Sequence, residues 1–575
     1  MINIKKDLEK IIKEALVDLG IEADEIHLEH PADLSMGDYS TNVAMIYANK
    51  VGQNPRELAE KITEKINLER GVLSWVEKVE VAGPGFINFF LTKKFFTNEI
   101  AEILNKGDKF GENDLLKGKK VVVEHSSPNL FKKFHIGHMA NNSIGESVSR
   151  IIKSFGADVT NISYPSDVGL GIAQAIWAIK EKGTDVLFSD ATLEEKIDFL
   201  GKAYSHGKQI YKVNEEMQKE VGVINKQVYE KSNDEINKIY NAGKEVTLKY
   251  FENIIERLGS KFDDYIFEGE VASVGKDLVE ENLGAVFEES NHALVFKGEE
   301  YGLHTRVFVN SSGLPIYEAK DLGLMKVKFD RYNPDISIFV TDHEQGEYMK
   351  VVLKAAELIN PIWSERTKHL LHGRLRFPHG RLSSREGGAL TANDLLDQVK
   401  EVVLEKMNQS ERGVENKEDV AEKMAVGAIK YFILKTSAGK NIVFDLESAL
   451  SIEGNSAPYL QYTYARALSV ANKAKTENIP TWTSDVQVEG EISVLEKMVY
   501  KFPEVVERAG KDYEPHHICV YLFDLAQAFN NYYSHNQIVN KEDESSAYKV
   551  ALTEATAQVI KKGLYLLGIE SPERI

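Results

Sequence analysis

The residues best suited to chemistry form the run Pro128-Asn129-Leu130-Phe131-Lys132-Lys133-Phe134-His135-Ile136-Gly137-His138, where an apolar strand pattern hands over to a helical one. His135 and His138 share one face of a first helical turn, where free backbone N–H groups and the helix dipole favour a phosphate. Gly137 removes a side chain that would keep a nucleotide off that turn. A pair of metal ligands is the competing reading, but no third ligand with suitable spacing accompanies them. A second run, His379-Gly380-Arg381-Leu382-Ser383-Ser384-Arg385-Glu386-Gly387-Gly388, lies between the strand-like LLHGRLRF and the helical LTANDLLDQVKEVV. Its glycines loosen a loop, Ser383 and Ser384 supply donors, and Arg381 and Arg385 can clamp a polyphosphate as charge develops on it. Alone, such a loop is usually a solvated one; beside the first run it has a partner in phosphate chemistry.

Elements must hold these runs in place. From Val121 the pattern alternates between strand and helix: VVVE, the helical SIGESVSRIIKSFG, the strand DVTNISYP and the helical QAIWAIKEK. After a mostly helical, charged stretch the alternation resumes with GLPIYEAKDLGLMKVKF, then DISIFVTD running into GEYMKVVLKAAELI, as in a doubly wound parallel sheet. Before it, the amphipathic NIKKDLEKIIKEALVDLG and NPRELAEKITEKI accompany the strand candidates VEKVEVAG and GFINFFL around the turn Gly83-Pro84-Gly85. After Gly388 the apolar residues follow helical periods to the last residues. The expected architecture is therefore α/β plus all-α: a Rossmann-like parallel-sheet catalytic domain with a helical insertion, a small N-terminal α/β domain and a C-terminal α-helical bundle. The expected boundaries are 1–110, 111–390 with the insertion at about 190–290, a helical connection over 391–450, and 451–575.

Composition narrows the function classes. The 575 residues are 43% hydrophobic and 28% charged, a balance suited to several buried cores. No window supplies the roughly 18 consecutive apolar residues of a membrane span, and the first residues do not resemble a signal peptide, so a cytoplasmic protein without a membrane partner is expected. A single cysteine, Cys519, excludes a disulfide framework and a thiolate zinc ribbon, and its apolar setting suggests a buried, inert thiol. The 70 Lys and Arg against 89 Asp and Glu leave a net charge of −19, which disfavours indiscriminate nucleic-acid coating and demands a selective contact with any such partner.

The two runs resemble HIGH and KMSKS, the paired signatures of the class I aminoacyl-tRNA synthetases, and the chain is similar over essentially its whole length to the arginyl-tRNA synthetases. Gly37-Asp38-Tyr39-Ser40-Thr41-Asn42-Val43-Ala44 and Ala82-Gly83-Pro84-Gly85-Phe86-Ile87-Asn88 look like that family's additional N-terminal, tRNA-binding domain. Glu124-His125-Ser126-Ser127-Pro128-Asn129 precedes HIGH as it does there. Tyr459-Leu460-Gln461-Tyr462, Phe523-Asp524-Leu525-Ala526-Gln527-Ala528-Phe529 and Leu567-Gly568-Ile569-Glu570-Ser571-Pro572-Glu573-Arg574-Ile575 look like its helical anticodon-binding domain. The stretch from His138 to Arg381 must hold the second half of the sheet as well as the insertion, which leaves no room for a large editing domain.

The resemblance implies an arginine–tRNA ligase that makes arginyl-adenylate from L-arginine and ATP and passes the arginyl group to the terminal adenosine of tRNA(Arg). It places Pro128, His135, Gly137 and His138 at ATP, and Lys132, His135, His138, Arg381, Ser383, Ser384 and Arg385 in catalysis. Mg²⁺ follows from the reaction, not from a ligand motif, and no protein metal site is expected. A guanidinium in a water-poor pocket needs a carboxylate able to accept parallel N–H bonds. Tyr317 and Asp321, four apart and so on one face of a helix, match the family's guanidinium-binding pair. Gln345, at the carboxyl edge of a strand, completes the pocket by resemblance, with Glu124 and Asn129 holding the α-ammonium and neighbouring polar atoms.

The family usually has proline where Lys133 stands, arginine where Ala140 stands and tryptophan where Val168 stands, and of its acidic-x-glycine match only Asp167 and Gly169 remain. The second run lacks both lysines of KMSKS. Lys132 is the expected substitute, because the family carries a lysine there when its loop lacks one, with Lys133 and Arg385 as rivals. A monomer is expected. Two other readings stay open: another editing-free class I synthetase, for lysine or glutamate, and a non-catalytic tRNA-binding paralogue.

Overall fold

The computed structural model describes residues 4–68, 74–377, 390–409, 413 and 415–575. Arg381, Ser383, Ser384 and Arg385 lie outside the described residues. The chain divides into two compact units, Met1–Gly111 with Thr463–Val505 and Tyr521–Lys562, and Glu112–Tyr462 with Val506–Val520 and Gly563–Ile575.

In the first unit the strands Tyr39–Thr41 and Val76–Ala82 flank Phe86–Leu91 in an antiparallel sheet. The helices Ile4–Asp18, Val43–Val51 and Pro55–Leu68 accompany it. Their apolar stripes, among them Leu8, Ile12, Leu58 and Ile62, meet Ile87, Phe89 and Leu91 of the central strand in one core. Two ion pairs tie this module to the helical segments of the same unit. Lys93 reaches the buried Glu496 at 2.7 Å, and Lys497 reaches the buried Asp38 at 3.3 Å.

The second unit contains a five-stranded, wholly parallel sheet built from β1 (Lys120–Glu124), β2 (Asp158–Ser163), β3 (Asp264–Tyr265), β4 (Ile336–Asp342) and β5 (Thr367–His372). The strand order is β5-β4-β1-β2-β3. Val121, Val122 and Val123 are buried because β1 lies in the middle of the sheet with both faces covered, which is why the sequence reads as an unbroken apolar run. The doubly wound α/β expectation and the helical C-terminal region are both observed.

The charged stretch after residue 190 forms the helices Leu193–Tyr211, Glu215–Glu230 and Asp234–Arg257. Each begins at a side-chain cap, in which Thr192, Asn214 and Asn233 accept backbone N–H groups of Glu195, Met217 and Ile236. Here the structure adds to the expectation. The edge strand β3 falls inside the span read as insertion, and its two residues are too few to show a period. A small antiparallel sheet of Glu288–Ser290, Ala293–Phe296 and Arg306–Val309 follows, also unforeseen from the sequence. No helix among the described residues is long and apolar enough to cross a membrane. Cys519 is fully buried, and burial pushes its thiol up.

Candidate active site

The chain leaves β1 and β4, neighbours in the sheet, toward opposite edges, so the loops after them part and open a crevice at their carboxyl ends. A cavity of about 570 Å³ lies there. One wall is the loop from Glu124 to the helix Ile136–Lys153. Ser126 and Phe131 hold left-handed φ angles of 57° and 64° in it, a conformation that costs on the order of 1–3 kcal/mol per non-glycine residue. Partners fix both. Ser126 N–H donates to Asn141 Oδ1 at 2.6 Å, Phe131 N–H donates to Thr247 Oγ1 at 3.1 Å, and the Phe131 ring is fully buried. Asn141 Nδ2 also donates to the Val340 carbonyl of β4 at 2.6 Å, so one side chain ties the helix to the ends of both central strands.

His135 caps that helix. Gly137 N–H donates to His135 Nδ1 at 3.1 Å, His135 N–H donates to His138 Nδ1 at 3.4 Å, and the rings stack 3.7 Å apart. Acceptance at Nδ1 assigns the proton of each neutral ring to Nε2. Burial and then the charge of Lys132 lower His135 to about 4, although the residue as a whole keeps an exposed surface. Burial, His135 and Lys132 carry His138 well below the usual histidine range. Both are neutral Nε2–H donors near neutral pH.

The floor is made by two helices, Glu268–Glu281 and Tyr317–Tyr332, that meet at glycines. A Cβ on Gly275 would stand 1.8 Å from the Ala319 carbonyl oxygen, and one on Gly323 would stand 2.4 Å from that of Val271. This close approach brings Glu268 and Asp321 to the cavity. Buried ion pairs follow: Lys328 to Glu124 at 2.6 Å, Lys320 to Glu268 at 2.6 Å, and the less buried Arg306 to Glu318 at 3.1 Å. Asp321 has no cation partner among the described residues. It accepts a hydrogen bond from the Tyr348 hydroxyl instead. Burial pushes Asp321 up to about 7, against that hydrogen bond and with the charges of Glu268 and Glu124 adding to the rise. Of the four carboxylates Glu124, Glu268, Glu318 and Asp321, three are therefore paired with a cation among the described residues and Asp321 is not.

Three comparisons bear on this geometry. The family profile for the class I (R) tRNA synthetase catalytic domain matches residues 99–446, that for the DALR anticodon binding domain matches 460–575, and that for the arginyl tRNA synthetase N-terminal domain matches 3–91. The arginine–tRNA ligase of Clostridium perfringens is 33% identical over 579 residues, covering 99% of this chain and all of that protein. That of Halothermothrix orenii is 31% identical over the full length of both. The chain belongs to the arginyl-tRNA synthetase family. The arginyl-tRNA synthetase structures of Thermus thermophilus and Plasmodium falciparum share its fold, with TM-scores of 0.81 and 0.79 at 23% and 21% identity, each covering the whole of this chain.

For a member of the arginyl-tRNA synthetases, the residues singled out by sequence fall into three groups. Glu124, Asn129, Tyr317, Asp321, Gln345, His135, Gly137 and His138 all line the one cavity. Tyr317 stands largely exposed, Gln345 closes a short turn after β4, and Asn129 bridges Ser166 in the loop after β2. Pro128 and Lys132 lie outside the cavity wall: the Pro128 carbonyl accepts the Ser166 N–H at 2.9 Å, and Lys132 Nζ stands 5.4 Å from the Tyr204 ring centre. The second-signature residues are outside the described residues. Of the departures, Ala140 and Val168 pack into an apolar cluster with the insertion helices, and Lys133 pairs with Asp198 and, at 3.5 Å, with Glu194. Asp167 accepts from Tyr240, Lys244 and the Gly269 N–H at 2.6, 2.8 and 2.8 Å, which anchors the loop after β2 to the insertion. Sequence reasoning missed Glu268, Arg306, Lys328 and Tyr348. Lys328 sits in the helix already singled out for Tyr317 and Asp321, two turns on from Asp321 along the buried face, and that periodicity was the available signal.

Proposed function

We propose that the cavity binds L-arginine and ATP, that arginyl-adenylate forms there, and that tRNA(Arg) receives the arginyl group. The observation that carries this reading is Asp321: a half-buried carboxyl with no cation partner among the described residues, next to three carboxylates that have one, beside two neutral histidine donors on a helix N-terminus. L-Arginine carries one net positive charge near neutral pH, and its planar guanidinium matches a carboxylate in paired hydrogen bonds. Tyr317 and Gln345 bracket the guanidinium, while Glu124 and Asn129 hold the α-ammonium and the polar atoms near it. The arginine carboxylate then attacks the α-phosphate of ATP in line and pyrophosphate leaves. The chemistry asks for orientation and charge neutralisation rather than a protein nucleophile.

His135 and His138 donate from Nε2 to phosphate oxygens, with Gly137 and Pro128 shaping the turn on which ATP lies. Mg²⁺ enters as the Mg·ATP substrate. Lys132 supplies the ammonium that the second signature run, with Ser384 in place of a lysine, lacks. Among the described residues it makes no ion pair, whereas its rival Lys133 is committed to Asp198 and Glu194. Arg381, Ser383, Ser384 and Arg385 act on the departing pyrophosphate. The division at 1–110, 111–390, 391–450 and 451–575, the insertion at about 190–290, a monomeric state and a cytoplasmic location belong to the same reading. Pyrophosphate exchange with tRNA present, run over a panel of amino acids, tests it. Exchange supported by arginine alone is expected; exchange with lysine or glutamate, or none with any amino acid, would overturn it.

A further inference from the structure

Tyr164 follows β2 directly, and its backbone N–H donates to Ser127 Oγ at 3.2 Å, which fixes where the side chain begins. The residue is 8% exposed and packs with Val122, Ile162, Ile266, Val271 and Leu324. Tyr164 is one of the residues that line the cavity. Its hydroxyl is buried and has no hydrogen-bond partner among the described residues, although a buried phenol usually finds one. Around it stand Glu268, Asp321, Tyr348 and Glu124, which act on it in that order. Each has its own partner: Lys320 for Glu268, the Tyr348 hydroxyl for Asp321, and Lys328 for Glu124. Burial and these carboxylates hold the phenol protonated, so its oxygen is a neutral acceptor in the midst of negative charge.

We infer that the Tyr164 hydroxyl is a specificity contact for the cationic end of the substrate, accepting an N–H bond from a guanidinium that lies between Asp321 and Glu268. The inference rests on the reading of the cavity as the arginine site. An unpartnered buried hydroxyl costs free energy in the empty protein, and a ligand that satisfies it recovers that cost as affinity. A guanidinium has five N–H donors in one plane, more than a single carboxylate can take, and a neutral acceptor uses a spare donor without adding charge. A ligand with fewer donors leaves the hydroxyl orphaned, so the same group discriminates against it.

Tyr164→Phe removes the oxygen alone and keeps the ring in its packing. Calorimetric titration with L-arginine should show Kd raised about 10-fold, with KM for ATP and kcat within about 2-fold of the parent. The ligand-free variant should melt at the parent temperature or above it, because an unsatisfied group has gone, while the rise in Tm given by saturating arginine should shrink. A hydroxyl with a structural role would instead lower the melting temperature of the ligand-free protein, and that result, or an unchanged Kd, overturns the inference. Asp321→Asn separates this failure from that of the arginine site. If Asp321→Asn weakens arginine and Tyr164→Phe does not, only the Tyr164 role falls; if neither does, the site itself is misplaced.

Discussion

At the scale of single residues, the protonation states of two histidines and one carboxyl set the behaviour expected of the cleft. His135 and His138 are neutral, with Nδ1 occupied by backbone N–H groups, so each offers one Nε2–H to charge that grows on phosphate in the transition state. Replacing either by alanine is expected to slow arginine activation by about 10² or more with little change in the KM for ATP, as with loss of an oxyanion donor. Near-parental rates in both variants would remove the histidines from the reaction. Asp321 gives a pH dependence whose sign can be worked out. In the empty cleft it holds its proton up to about 7, and a guanidinium requires it ionised, so binding must expel the proton at lower pH. The kcat/KM for arginine should fall as pH drops through about 7, by at most 10-fold per pH unit, while kcat at saturating arginine changes less. A kcat/KM that stays level down to pH 5.5 contradicts the assignment. The histidine run was legible because its members are adjacent in the chain. The balancing charges were not: Lys328 and Glu124 are 204 positions apart, and nothing local marks either as the other's partner.

Elements decide whether those residues meet. The helices bearing Glu268 and Asp321 touch backbone to backbone at Gly275 and Gly323, so the separation of the two carboxylates is set by the absence of two Cβ atoms. Gly275→Ala places a methyl well inside van der Waals contact of the Ala319 carbonyl oxygen, and the helices must part to admit it. The variant is expected to lose about 1–3 kcal/mol of stability in urea denaturation. Its KM for arginine should rise while its KM for ATP, bound on the other wall, holds. An equal rise in both would mean that the whole sheet had shifted rather than the floor. The sequence places the second of these helices in the resumed strand–helix alternation, leaves the first inside the insertion, and reads β1, β2 and β4 as strands. It could not reveal the glycine crossing, because a glycine within a helical pattern looks the same whether it faces solvent or another backbone. Nor could it reveal β3 or the small antiparallel sheet that delivers Arg306, whose strands of two to four residues are shorter than any period.

Across the whole molecule, order in the chain is a poor guide to which unit a segment stabilises. Residues 567–575 resemble the end of an anticodon-binding domain, yet Gly563–Ile575 packs in the unit that holds the cleft. The helix that begins at His135 is gripped from behind by that segment. Ser147 Oγ donates to the Leu566 carbonyl at 2.9 Å, and Arg150 donates to the carbonyls of Tyr565 and Gly259 at 3.0 and 2.8 Å. Lys430, fully buried, donates to the carbonyls of Gly568, at 2.9 Å, and Leu258, and burial lowers it to about 7. Gln461 Nε2 donates to the Glu570 carbonyl at 2.8 Å, and Ile569 is buried to 2% exposure. Removing Gly568–Ile575 takes away one of the two carbonyls that make a buried lysine tolerable and exposes the cavity left by Ile569. The expected loss is on the order of 3 kcal/mol or more from the unit containing the cleft. Because the loss falls on the unit that holds the cleft, adenylate formation should suffer along with tRNA charging, not charging alone. Pyrophosphate exchange by the truncated protein, with tRNA saturating and below its melting transition, checks this. Full exchange with defective charging would show that the segment serves only the recognition of tRNA.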